Sequence, residues 1–230
     1  MLIQAVIFDL DGTLLDTIGD IQASLNHALL KAGLAPVSTE ECRRRTGWGL
    51  AKLVSASVPE PVATPELTDG ITRDFLAFYR ENPAIHTVPY PGIETLLGLL
   101  RNATIKMAVL SNKPDALTRV VVEEVLRDHR FERVLGGRAD LPHKPDPSST
   151  WSILRDLGVE PEKTMFIGDS EVDMETARNA GCIPVGVSWG FREVNLLREA
   201  GAEHICYSAD EIRRLLGLEA GAVVGKEKEQ

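Results

Sequence analysis

The segment Ile3-Gln4-Ala5-Val6-Ile7-Phe8-Asp9-Leu10-Asp11-Gly12-Thr13 changes character in one step: a β-branched, mostly apolar run ends at two acids and a glycine. Such a run, without polar alternation, predicts a central strand buried on both faces. Three later runs resemble it: Ile105 to Leu110, Thr164 to Ile167, and Ile183 to Val187. Between them the apolar spacing becomes helical. Pro114 opens a helix with Leu117, Val121 and Val125, and Pro147 opens one with Trp151, Leu154 and Leu157, closed by Gly158. A third, Glu171 to Ala180, stops at Gly181. Proline at the start and glycine past the end are ordinary helix punctuation. Strands alternating with helices predict an α/β fold, a doubly wound Rossmann-like parallel sheet. Phe131 to Leu135 and His204 to Tyr207 are expected as edge strands, and Trp151 is expected in the core.

Residues 16–89 break this rhythm. Ile18, Ile21, Leu25 and Leu29 share one helical face, Ser38 and Glu41 have capping-box spacing, and Thr64-Pro65 opens a helix striped by Ile71, Phe75 and Phe78. No strand is expected there. The division read from the sequence is an α/β core of residues 1–15 and 90–218, an inserted all-helical domain of 16–89, and a frayed tail of 219–230. Hinges are expected near Asp16–Gly19 and at Tyr90-Pro91-Gly92.

With 25 Lys plus Arg against 34 Asp plus Glu among 230 residues, the net charge is −9. Such a surface repels phosphate backbones and anionic lipid, arguing against nucleic-acid and membrane partners. The apolar start lacks a basic flank and reads as a strand, not a leader. Cys42, Cys182 and Cys206 are odd in number and unclustered, so free thiols and a cytoplasmic setting are expected. A monomer or homodimer is expected.

Open parallel sheets bind ligands beyond the carboxyl ends of their strands. Four segments converge there: Asp9-Leu10-Asp11-Gly12-Thr13, Ser111-Asn112-Lys113, His143-Lys144-Pro145-Asp146, and Gly168-Asp169-Ser170-Glu171-Val172-Asp173. In order and spacing these resemble the four signature motifs of the haloacid dehalogenase superfamily, and the helical insert resembles that family's cap.

The resemblance implies a phosphomonoester hydrolase. A carboxylate such as Asp9 can attack phosphorus and form an aspartyl-phosphate. Alternation along the strand puts Asp11 on the same side, as general acid and then general base. By resemblance Mg²⁺ is held by Asp9, Asp169 and the backbone carbonyl of Asp11, with Asp173 acting more indirectly. Ser170 and Asp173 also have capping-box spacing, which is compatible with that role. Ser111 and Lys144 complete the phosphate grip, with Asn112 and Thr13 as further phosphate contacts. Ser111-Asn112 before Pro114 reads equally as a helix cap.

The loop around Arg45, Thr46, Gly47 and Trp48 is the candidate reader of the substrate's other end, its arginines suited to a carboxylate. A solvated basic helix end, with Trp48 in the cap's own core, is the competing reading. Thr46-Gly47-Trp48-Gly49-Leu50, Pro89-Tyr90-Pro91-Gly92 and Gly186-Val187-Ser188-Trp189-Gly190 look most like the phosphoglycolate phosphatases. The expected substrate is therefore a small phosphorylated metabolite, 2-phosphoglycolate. The alternatives are a sugar-phosphate mutase, pyrophosphatase or nucleotidase of the same superfamily, or a non-catalytic phosphate-binding regulatory protein. Trp189 is read either as bordering the site or as sheet packing.

Overall fold

The structure is a computed structural model describing residues 2–219. The expected tail lies outside these residues apart from Glu219. In chain order the elements are β1 (Ala5–Phe8), β2 (Leu15–Asp16), α1 (Ile18–Lys31), α2 (Thr39–Arg45), α3 (Leu50–Ser55), α4 (Pro65–Glu81), β3 (Val88–Pro89) and α5 (Ile93–Asn102). There follow β4 (Lys106–Pro114), α6 (Asp115–Val125), β5 (Arg133–Gly137), α7 (Ser148–Leu157), β6 (Thr164–Gly168), α8 (Glu171–Ala180), β7 (Ile183–Val187), α9 (Val194–Glu199), β8 (His204–Cys206) and α10 (Ala209–Leu215).

Six strands form one parallel sheet in the order β5-β4-β1-β6-β7-β8. The chain leaves β1 for β4 and β5 on one side, then returns to β6, β7 and β8 on the other. The order therefore reverses at β1, whose carboxyl end is the switch point where such sheets open a crevice. Strand alternation divides the core. Val6 and Phe8 pack with the apolar faces of α5, α6 and α10, while Ala5 and Ile7 pack with those of α7 and α8. Both faces are covered, as an all-parallel sheet requires.

The helical punctuation acts as its chemistry dictates. Gly158 and Gly181 take left-handed φ values of 63° and 80° just past α7 and α8. Ser38 and Glu41 form a reciprocal capping box on α2, and the Thr64 hydroxyl caps α4.

Three expectations are corrected. Residues 16–89 are not free of strand at their ends, because Leu15 and Asp16 pair antiparallel with Pro89 and Val88. Both connections to the helical insert thus run side by side, and the buried Asp20 carboxylate ties them further by accepting from the backbone N–H groups of His86 and Thr87 and the Thr87 hydroxyl. Tyr79, and not Phe78, completes the buried stripe of α4 with Ile71 and Phe75; Phe78, half-buried, stacks instead on the His27 ring of α1 at 4.2 Å. Trp151 is 51% exposed and donates to the Ala180 carbonyl; its indole NH finds a partner at the rim, where a position in the core would need one inside.

Candidate active site

β1 carries Asp9 to the centre of the sheet's carboxyl edge, where its N–H donates to the Ile167 carbonyl on β6 at 2.9 Å. The chain then turns back on itself: the N–H groups of Thr13, Leu14 and Leu15 converge on the Leu10 carbonyl. Gly12 permits this with φ = 86°, and a Cβ there would collide with the Asp169 carboxylate.

Lys144, from the loop between β5 and α7, places its buried ammonium 2.8 Å from Asp9 and 2.6 Å from Asp173. Asn112 holds that loop: its carboxamide accepts from the Lys144 N–H and donates to the Lys144 carbonyl. Asp169 follows β6, accepting from the Phe191 N–H at 2.6 Å and the Thr13 hydroxyl at 3.3 Å. Asp173, fully buried on the first turn of α8, spends one oxygen on Lys144 and the other on the N–H and hydroxyl of Ser170. Capping and lysine-holding are one arrangement.

Asp9, Asp169 and Asp173 can each offer a carboxylate oxygen within 4.8 Å of the others. Three acids against the Lys144 ammonium leave negative charge uncompensated in a dry place. Burial pushes the Asp9 carboxyl up to about 7; Lys144 opposes the rise, while Asp173 and Asp11 add to it. Asp169 is raised well above the ordinary carboxylate range by burial and then by Asp173 and Asp9. Burial works against the Lys144 ammonium, but Asp173 and Asp9 outweigh it and hold its pKa above the usual lysine value. Hard oxygen donors with surplus negative charge fit a divalent cation such as Mg²⁺. The Asp11 side chain is engaged elsewhere, 3.1 Å from Lys113, so a cation role for Asp11 rests on its carbonyl.

Above this cluster lies a pocket with about 600 Å³ of empty space, counting its open mouth. The core supplies Asp9, Asp11, Ser111, Lys113 and Asp169; the helical insert supplies Ile21, Thr46, Leu50, Leu53 and Phe75. The insert is clasped to the core. Arg192 donates to the carbonyls of Arg43 at 2.8 Å and Thr46 at 2.5 Å and pairs with Glu171, which also accepts from the Trp48 indole NH. Asn112 donates to the Gly47 carbonyl.

The sequence profile described as "Haloacid dehalogenase-like hydrolase" matches residues 6–187, more than half the chain. The chain belongs to this hydrolase family. It is 31% identical to a phosphoglycolate phosphatase of Pseudomonas putida, over 92% of this chain and 78% of that one. To the phosphoglycolate phosphatase of Chromobacterium violaceum it is 35% identical, over 85% and 89%. A crystal structure from Lactobacillus delbrueckii subsp. bulgaricus, provisionally named a phosphoglycolate phosphatase, superposes with a TM-score of 0.87 at 33% identity, covering 94% of this chain and 99% of that one.

In this haloacid dehalogenase-like hydrolase the four expected segments meet at one rim, but individual side chains depart from their expected tasks. Thr13 faces Asp169 and, through its carbonyl, the Trp189 indole NH, and is not part of the pocket wall. The Asn112 carboxamide is consumed in tying Lys144 and Gly47. Arg45 lies outside the pocket wall, pairing with Glu41 at 3.2 Å one turn away. Its i, i+4 partner was legible in the sequence and wins because that pair forms without crossing to the core. Trp48 is 41% exposed and reaches Glu171, neither walling the pocket nor filling the cap's core. Thr46 and Gly47 do line the pocket. Lys113, Phe191 and Arg192 had no assigned task in the sequence; Lys113 stood beside Ser111 as the signal.

Removing the Lys144 ammonium strands two buried carboxylates. Lys144→Ala is expected to cost about 3–5 kcal/mol, read as a lowered thermal midpoint in metal-free buffer. A midpoint within a degree of the parent would show that the pair carries no such weight.

Proposed function

We propose that this chain is a Mg²⁺-dependent phosphomonoesterase that works through an aspartyl-phosphate on Asp9, with 2-phosphoglycolate as its substrate. The observation that carries the reading is the buried Asp9, held by Lys144, which Asp173 holds in turn, and facing a pocket roofed by the helical insert. In this reading residues 16–89 are a cap hinged at the β2–β3 pair, and the buried, free cysteines suit a reducing cytoplasm.

Asp9 attacks phosphorus as the ester P–O bond breaks, and the Asp11 carboxyl gives its proton to the departing oxygen. Asp11 then takes a proton from water, whose oxygen displaces Asp9 and releases inorganic phosphate. Lys144 and the Ser111 hydroxyl hold charge on the transferring group. Mg²⁺, held by Asp9, Asp169 and the Asp11 carbonyl, would neutralise the repulsion between the acids and a phosphate dianion. Asp173 positions Lys144. The clasped cap excludes bulk water from the acyl-phosphate.

The test is phosphate release from a panel of small esters with Mg²⁺, then with excess chelator. Chelator-sensitive release strongest on 2-phosphoglycolate supports the full reading; release strongest on another ester moves the substrate, and none from any ester removes the phosphatase. pH adds a check. Below about 7 the Asp9 carboxyl keeps a proton that the cation must displace, so apparent Mg²⁺ affinity should weaken about tenfold per pH unit. Affinity unchanged between pH 5.5 and 7 would contradict the proposed ligand.

A further inference from the structure

Among the described residues two cations line the pocket, Lys113 and Arg192. Arg192 is spent: Glu171 and the carbonyls of Arg43 and Thr46 take its guanidinium. Lys144 is spent on Asp9 and Asp173, and Arg45 lies outside the wall. Lys113 differs. Its side chain is 5% exposed, and its ammonium sits 3.1 and 3.4 Å from the two Asp11 oxygens and 4.4 Å from the centre of the Tyr79 ring. That places a cation beside the proposed acid–base, at the boundary of core and cap. The cap side of the pocket carries no other charge among the described residues: Ile21, Leu50, Leu53 and Phe75 are apolar, and the Thr46 hydroxyl already donates to the Cys42 carbonyl. The Tyr79 hydroxyl is buried without a hydrogen-bond partner among the described residues.

A second anion on the substrate cannot be left bare in such a place, because burying an unpaired charge costs several kcal/mol. We propose that Lys113 is the specificity residue. Its ammonium exchanges Asp11 for the carboxylate at the substrate's non-phosphate end, and the freed Asp11 carboxylate takes a proton from solvent and turns to the ester oxygen. The inference rests on the phosphatase reading and deepens it: the recognition of the substrate's carboxylate is assigned to one side chain of the core, at the end of β4, and not to the arginines of the insert. The register of β4 against β5 shifts between Leu110 and Pro114. Such irregularities re-aim side chains next to active sites, and here the segment carries Ser111 and Lys113 together. One strand end then reads both ends of the ligand, the phosphate through Ser111 and the carboxylate through Lys113.

The experiment compares 2-phosphoglycolate with ethyl phosphate, which has similar length and no carboxylate, in the parent protein, K113M and K113R. The ratio of the two kcat/KM values is expected to fall at least tenfold in K113M, through KM for 2-phosphoglycolate, and to be largely kept in K113R. Equal losses on both esters would mean that Lys113 acts through Asp11 alone and would overturn the proposal, as would an unchanged ratio. K113Q carries the same ratio test should K113M lose the fold. Binding measured by calorimetry with Mg²⁺ in an Asp9→Asn background separates the two levels. If the parent turns over neither ester, yet K113M still weakens 2-phosphoglycolate at least tenfold more than inorganic phosphate, the phosphatase reading fails and Lys113 stands. Equal weakening of both ligands overturns Lys113 as well.

Discussion

Asp9→Asn is expected to reduce kcat by about 10⁴-fold or more while the protein still folds. The carboxamide occupies the same space at the end of β1 but cannot attack phosphorus, so no covalent intermediate forms. Folding survives because Lys144 keeps its 2.6 Å partner Asp173, and the site loses a carboxylate that burial already disfavours. A second readout follows from the same group. In metal-free protein the Asp9 carboxyl holds its proton up to about 7, whereas in the unfolded chain it lets go near the ordinary value of about 3.9. The folded state therefore binds the extra proton between those values, and stability declines as the pH rises through that window. Asp9→Asn should flatten this decline, measured as denaturation midpoints between pH 4 and 8 with chelator present. Turnover within tenfold of the parent would remove Asp9 as nucleophile, and an unaltered pH slope would remove the burial argument for its carboxyl.

Withholding Mg²⁺ is expected to have the second large effect. Excess chelator should eliminate phosphate release, and Asp169→Asn should do the same at ordinary Mg²⁺ concentrations. In the proposed reading the cause is the surplus of acids around Lys144, which would repel a dianionic substrate until a divalent cation balanced it. The cation should also stabilise the fold, since it binds the assembled cluster and not the separated segments of the unfolded chain. At a hundredfold excess over its dissociation constant the gain is about 2.7 kcal/mol, or roughly 5–10 °C in the melting midpoint for a chain of this size. Asp169→Asn should abolish most of that shift. A melting midpoint indifferent to Mg²⁺ in the parent protein, with activity surviving chelation, would eliminate the cation from the reading.

The sheet, its helices and the rim were legible because their causes are local. An apolar run ending in acid and glycine makes a strand end wherever it lies, and proline and glycine punctuate helices within a turn. The common edge follows from the handedness and order of parallel strands. The fold class and the meeting of Asp9, Asp11, Ser111, Lys144, Asp169 and Asp173 at one rim could therefore be read from the chain alone. The partners of each side chain were decided elsewhere. Lys113 and Asp11 lie 102 residues apart and Lys144 and Asp9 135 apart, so their pairing depends on how the whole sheet closes. The same distance effect gave the Thr13 hydroxyl to Asp169, 156 residues away, whereas Arg45 was decided locally. Local spacing offered Arg45 the nearby Glu41, and packing offered Asp169 a hydroxyl across the turn. The placement of Lys113 beneath the cap, over Tyr79, belongs to tertiary structure alone, because a buried ammonium takes its partners from whatever the folded walls bring within reach, and sequence neighbours do not decide that.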